Sequence, residues 1–169
     1  MHAAAAPFKH TTARKTMSAT GELRVREAYA RDVAAVVALL ARQLDEHDIA
    51  LAPDALERSV RTLLGDPRLG HVLVACAAGG EIAGVAVLSF LFTLEHGGPA
   101  AWLDELYVAD AHRGRGVGER LVEAALRVAR ERGCVALDLE VEPGHDAATR
   151  LYERLGFRRH RRVRWVRGT

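Results

Sequence analysis

Arg113-Gly114-Arg115-Gly116-Val117-Gly118 is the stretch of this chain best suited to hold an anion. Three glycines at alternate positions fit neither a helical nor a strand period, and without Cβ atoms they let backbone amides come close to a ligand. The run lies between an apolar segment, Trp102 to Val108, and an amphipathic one that begins at Val117. Amides that open a helix have no intrahelical partner and carry the positive end of its dipole, so they bind anions. Arg113 and Arg115 add charges suited to phosphate. Together these features describe a pyrophosphate cradle. A dinucleotide fingerprint competes with it, but the spacing is G-x-G-x-G rather than G-x-G-x-x-G, and the loop after Val108 is too long for a tight first turn.

The cradle needs a strand before it and a helix after it, and the flanking patterns supply both. Leu23 to Glu27 reads as a strand, and Val33, Val36, Val37, Leu40 and Leu44 keep helical spacing. Pro53 opens a second helix through Leu56, Val60, Leu63 and Leu64, closed by Gly65 and Pro67. His71–Ala78 and Ile82–Phe92 are β-rich runs joined by a hairpin signal, Ala78-Gly79-Gly80-Glu81, and a fourth strand covers about Ala101 to Val108. The helix after the cradle turns Val117, Leu121, Val122, Ala125, Val128 and Ala129 inward and ends at Gly133. Val135, Leu137, Leu139 and Val141 alternate as a strand until Pro143-Gly144 breaks it. Ala148, Leu151, Tyr152 and Leu155 form a short helix ended by Gly156, and a last strand carries Phe157, Val163 and Trp165. The order β-α-α-β-β-β-α-β-α-β describes one mixed α/β domain over residues 21–169, without repeats or linkers. Residues 1–20 read as a disordered basic tail, and Met17 as an alternative translation start.

Composition narrows the class. Apolar residues make up 49% and charged residues 27%, an ordinary soluble balance, and no apolar run reaches the roughly 20 residues of a membrane span. Ala3 to Ala6 is too short for the apolar core of a signal peptide. Cys76 and Cys134 lie in strand-like runs without metal spacing, so both read as buried, reduced thiols of a cytoplasmic protein that holds no metal. Against a net charge of +2, three cations in residues 1–16 and six arginines in 158–167 leave the body between them at −7. An acidic body excludes a nucleic-acid face spread over the fold and favours a cationic substrate. The arginine-rich end itself reads as a basic edge strand that resists aggregation.

Two segments in register resemble the GCN5-related N-acetyltransferase (GNAT) superfamily, and the resemblance covers residues 22 to 166. Leu106-Tyr107-Val108 followed by Arg113-x-x-Gly116-x-Gly118 is similar to the family's acetyl-CoA motif. Ala148-Thr149-Arg150-Leu151-Tyr152-Glu153-Arg154-Leu155-Gly156-Phe157 is similar to its second motif, A-x-x-L-Y-x-x-x-G-F. The resemblance implies a mixed, splayed central sheet flanked by about four helices. It also implies acetyl-CoA as cosubstrate, with pyrophosphate on the backbone of Arg113, Gly114, Arg115, Gly116, Val117 and Gly118. The pantetheine arm would add like a strand beside Leu106, Tyr107 and Val108, and a primary amine would attack in a ternary complex. Tyr152 matches the tyrosine that protonates the leaving thiolate. Asp104-Glu105 is similar to the acidic pair of diamine and polyamine acetyltransferases. Alternation puts Asp104 on the side of Leu106 and Trp102 and makes it the first choice of base, with Glu105 the second.

Relatives often carry Asn where this chain has His145, which either replaces that contact to the CoA arm or only starts a helix. Asp45, Glu46 and Asp48, around His47, either attract a cationic amine or form a solvated helix end. The implied enzyme is an acyltransferase acting on a small amine, possibly polycationic, with no nucleic-acid or membrane partner; a homodimer stays open. The alternatives are a protein or peptide N-terminal acetyltransferase, or a module that binds acyl-CoA without catalysis.

Overall fold

A computed structural model describes residues 23–168. The tail expected over residues 1–20, and Met17 with it, lies outside the described residues. The elements are β1 (Arg24–Glu27), α1 (Val33–Glu46), α2 (Pro53–Gly65), β2 (Gly70–Cys76), β3 (Ile82–Thr93), β4 (Gly98–Val108), α3 (Val117–Glu131), β5 (Ala136–Leu139) and α4 (Asp146–Arg154). Short 3-10 turns at Ala30–Asp32 and Asp110–His112 lead into α1 and toward α3.

One five-stranded sheet runs β1-β2-β3-β4-β5. Its first four strands pair antiparallel, and β5 joins β4 in parallel. The strand period of two divides the core. Val72, Val74, Val85 and Val87 pack with Val36, Leu40, Leu56 and Val60 beneath α1 and α2. Leu73, Ala75, Ala86 and Leu88 pack with Leu121, Val122 and Ala125 of α3 and Tyr152 of α4. Burying a Val or Leu side chain of this kind contributes about 1.5–3 kcal/mol, so both helical layers are anchored by the alternation in β2 and β3. At the start of α1, Arg26 grips the buried Asp32 at 2.7 and 3.0 Å, while Asp32 also accepts the Tyr29 amide at 2.8 Å.

Two expectations are corrected. No final strand forms: from Phe157 on, the chain runs without a ladder, and Val163 and Trp165 stand 76% and 92% exposed. With six arginines spread over both parities of residues 158–167, neither face of a strand there would be apolar enough to bury. Its charges pair singly instead, Arg162 with Glu95 at 2.7 Å and Arg164 with Glu140 at 3.0 Å. The two cysteines are free, but they are half-buried rather than enclosed.

The close seat of α3 depends on Gly84, which lies opposite Val108 in the β3–β4 ladder. A Cβ there would stand 2.9 Å from the Tyr107 carbonyl oxygen, 3.1 Å from Leu121 Cδ1 and 3.3 Å from Val117 Cγ1. Gly84→Ala is therefore expected to destabilise the protein by about 1–3 kcal/mol, as overpacking does, measured by urea denaturation.

Candidate active site

After β4 the chain enters α3 through two left-handed glycines, Gly114 (φ 71°) and Gly116 (φ 76°). A Cβ on either would meet nothing within 4 Å, so the space before the loop is open and a side chain would fill it. Gly116 is the N-cap of α3 and no side chain caps the first turn. Its carbonyl accepts the Arg120 amide at 3.1 Å, while the amides of the first turn, Val117 and Gly118 among them, have no helical partner. A Cβ at Gly118 would make ordinary contacts with Leu151 Cδ2 at 3.5 Å and Val108 Cγ2 at 3.8 Å, so this glycine keeps the turn bare rather than relieving a clash. These residues fit a pyrophosphate.

Arg113 does not offer its side chain to that space. Its Nε donates to the Val108 carbonyl at 2.9 Å, and one terminal nitrogen reaches both Glu46 oxygens at 3.0 and 3.1 Å. The other pairs with Asp110 at 2.8 Å, and the guanidinium lies 5.1 Å from the centre of the Tyr107 ring. Tyr107, buried beneath α1, donates its hydroxyl to Glu46 at 2.7 Å. The Tyr107 hydrogen bond first, and Arg113 second, hold the Glu46 carboxyl below the usual carboxylate range against the effect of burial. Arg113 thus bolts the loop to α1 and β4, and Arg115, which is exposed, is the arginine of the pair left facing solvent.

Beside the loop lies a slot in the sheet. β5 pairs with β4 only from Ala100 to Leu103, whereas β3 follows β4 as far as Val108. The Ala109 amide donates to Ala83 of the β3 side at 3.0 Å. Backbone groups alternate along a strand, so those of Leu106 and Val108 face the gap, where an extended arm can add as a strand.

The acidic pair sits where β4 irregularly pairs with β3. Val87 is opposite Glu105 and Leu88 is opposite Leu103, which leaves Asp104 as an extra residue, a β-bulge. Side-chain alternation slips there: Tyr107 packs on the α1 side, while Leu103 and Leu106, three apart, both pack on the α3 side. The parity that favoured Asp104 does not hold across the bulge. Asp104 is exposed, though its carboxyl is crowded enough that burial raises it, with Arg164 opposing. Glu105 is half-buried and accepts Gln43 Nε2 at 2.6 Å. Burial first, and the charge of Asp104 second, push its carboxyl up to about 7, against the pull of His47 and Arg164.

Gln43 and His47 were not singled out as site residues by the sequence reading. They extend the inward stripe of Val36 and Leu40 by further turns of α1, and polar residues on that stripe were the available signal. His47 Nδ1 meets Glu142 at 2.8 Å, and its ring stands edge-on to His145 with centroids 6.3 Å apart. His145 is the N-cap of α4 without a side-chain cap bond, and its carbonyl accepts the Thr149 amide at 3.0 Å. Asp45 and Asp48 are exposed, and Glu46 is committed to Tyr107 and Arg113. Tyr152 is buried on α4, edge-on to Phe157 at 5.5 Å, and burial pushes its phenol up to about 12. Among the described residues no three His, Cys, Asp or Glu side chains gather to hold a metal ion.

Comparison with known proteins gives the family and the fold. Residues 33–157 match the family described as "Acetyltransferase (GNAT) family". Streptothricin acetyltransferase of Streptomyces lavendulae is 35% identical over 98 residues, 55% of this chain and 47% of that protein, so the chain spans about half that relative's length. Thialysine N-epsilon-acetyltransferase of Bos taurus is 29% identical over 143 residues, covering 78% of this chain and 82% of that protein. The solved structure of aminoglycoside N-acetyltransferase AAC(6')-Iy in complex with CoA superposes with a TM-score of 0.77, covering 90% of this chain and 99% of that one. At 20% identity that likeness is one of fold.

The open cradle makes its own prediction. Gly116→Val places a side chain in the anion space and a β-branched residue at φ 76°, and is expected to weaken coenzyme A binding at least about tenfold by calorimetry, with the circular dichroism spectrum unchanged.

Proposed function

The chain belongs to the acetyltransferase (GNAT) family, and on that premise we propose that it transfers the acetyl group of acetyl-CoA to the primary amine of a small cationic acceptor. The observation that carries the reading is Glu105, a carboxyl held by Gln43 and raised to about 7 at the start of the stretch of β4 that β5 leaves open and that leads to the glycine loop. Acetyl-CoA supplies an acyl group activated as a thioester. The amides of Val117 and Gly118 hold its phosphates, and the gap-facing backbone of Leu106 and Val108 aligns its arm. Glu105 takes a proton from the acceptor nitrogen, a task that suits a base poised near neutrality. Tyr152 keeps the proton on its Oη throughout the working range and gives it to the departing sulfur. Its pKa of about 12 makes it a weaker acid than a solvated tyrosine, and the same dry surroundings raise the basicity of the group it serves.

The small cationic acceptor is supported by the adjacent carboxyls of Asp104 and Glu105 on β4 and by the acceptors named for streptothricin and thialysine acetyltransferases. In this reading residues 21–169 are one catalytic domain that works in the cytoplasm. No helix of the described residues is long and apolar enough to cross a membrane.

A thiol-release assay over diamines, polyamines, lysine-like amines, aminoglycosides and short peptides tests the acceptor class, and turnover with peptides alone would overturn it. Glu105→Gln is expected to lower kcat by about 100- to 10,000-fold, the usual worth of a general base, and Asp104→Asn by less than about tenfold. Below about pH 7 Glu105 carries a proton and cannot accept another, so kcat/KM should rise with pH through that value and then level. Tyr152→Phe should lower kcat while the Kd for coenzyme A stays within about twofold; equal turnover would remove it as the acid.

A further inference from the structure

Gln43 reaches from α1 to the bulge of β4 and donates Nε2–H to Glu105 Oε2 at 2.6 Å, across 62 positions of sequence. Its other end is idle. Among the described residues Gln43 Oε1 is the one buried side-chain oxygen or nitrogen without a hydrogen-bond partner. A buried carbonyl left unpaired is costly, and an amide that served only to tie α1 to β4 would use both of its ends. Here the carboxylate alone sets which way the amide points. An amide has a donor end and an acceptor end of nearly equal shape, so it can serve a carboxylate in one orientation and a carboxylic acid in the other.

We propose that Gln43 is the positioning residue of the general base: it fixes one oxygen of Glu105, leaves the other for the acceptor amine, and turns over to present Oε1 once Glu105 is protonated. The inference rests on the reading of Glu105 as the base. The proton moves from the acceptor nitrogen to the free carboxylate oxygen and later leaves for solvent, so the pair returns to its starting state. Glutamine suits this position because leucine could not donate, lysine could not accept, and a second carboxylate would repel the first.

The groups that face Glu105 are Asp104 on β4, His47 at the C-cap of α1 and Arg164 in the chain after α4. All three stay in place in the variants that test Gln43. The experiment is the pH dependence of kcat/KM for a cationic amine in the wild type, Gln43→Leu, Gln43→Met and Gln43→Glu, with Glu105→Gln beside them and thermal melting of each. Gln43 bonds the carboxylate through a charge-assisted hydrogen bond, stronger than the neutral one it makes to the acid, so its loss costs the charged form more and raises the pKa of the carboxyl. The acid limb is therefore expected to move to higher pH by roughly half a unit to one unit in the Leu and Met variants, and further in Gln43→Glu, where a second carboxylate joins the first. Coenzyme A affinity should hold.

A fall in kcat/KM by one factor at every pH, with the limb unmoved, would make Gln43 a structural tie and overturn the inference. Methionine keeps the length of the side chain, so it carries the measurement if leucine weakens folding. Wild-type activity in Glu105→Gln would sink the base assignment itself. An inactive Glu105→Gln with unmoved limbs in all Gln43 variants would sink only the role of Gln43.

Discussion

A strand inside a sheet that loses one neighbour partway along must find other partners for its backbone, and this condition on β4 organises the molecule. β3 accompanies β4 over its whole length, while β5 leaves it after Leu103. From there to Val108 one edge of β4 has amides and carbonyls to offer. The bulge at Asp104 opens this stretch and the glycine loop closes it, so the carboxylates and the unpaired amides at the start of α3 sit at its two ends. Tyr152 arrives from α4, beyond β5, in the core layer under α3. Each chemical group therefore comes from an element whose position follows from the parting of β4 and β5.

Two glutamates associated with α1 show how surroundings assign roles to one side-chain type. Glu46 has a phenol and a guanidinium for partners, which hold its carboxyl below the usual range. Glu105 has one neutral amide, a like charge next to it and little water, and titrates near neutrality. The first is a fixed anchor and the second is a group that can exchange a proton.

The glycine loop that opens α3, the order of the elements up to α4 and the helical setting of Tyr152 were legible in the sequence, because glycine spacing and apolar periods are local signals. The bulge was not. Trp102 to Leu106 contains no glycine or proline to mark it, and alternation carried through it pointed to the wrong parity for Asp104. The fate of Arg113 was hidden for another reason: its partner Glu46 lies 67 residues away, in an acidic group at a helix end that does not single it out. Residues 158–167 had strand-like residues but no apolar face, and the single ion pairs to Glu95 and Glu140 won. Gln43 could have been flagged, since a polar residue on an inward stripe calls for a partner.

α1 carries Gln43 and Glu46 three residues apart, a rise of about 4.5 Å along the helix. Gln43 holds the carboxyl of Glu105, and Glu46 holds Arg113 of the glycine loop. A rigid rod gripping both halves of the cleft makes them a single mechanical unit. In the proposed reading one half takes the cosubstrate and the other the amine, and any free-energy coupling carried between them by this helix would be reciprocal by thermodynamic linkage.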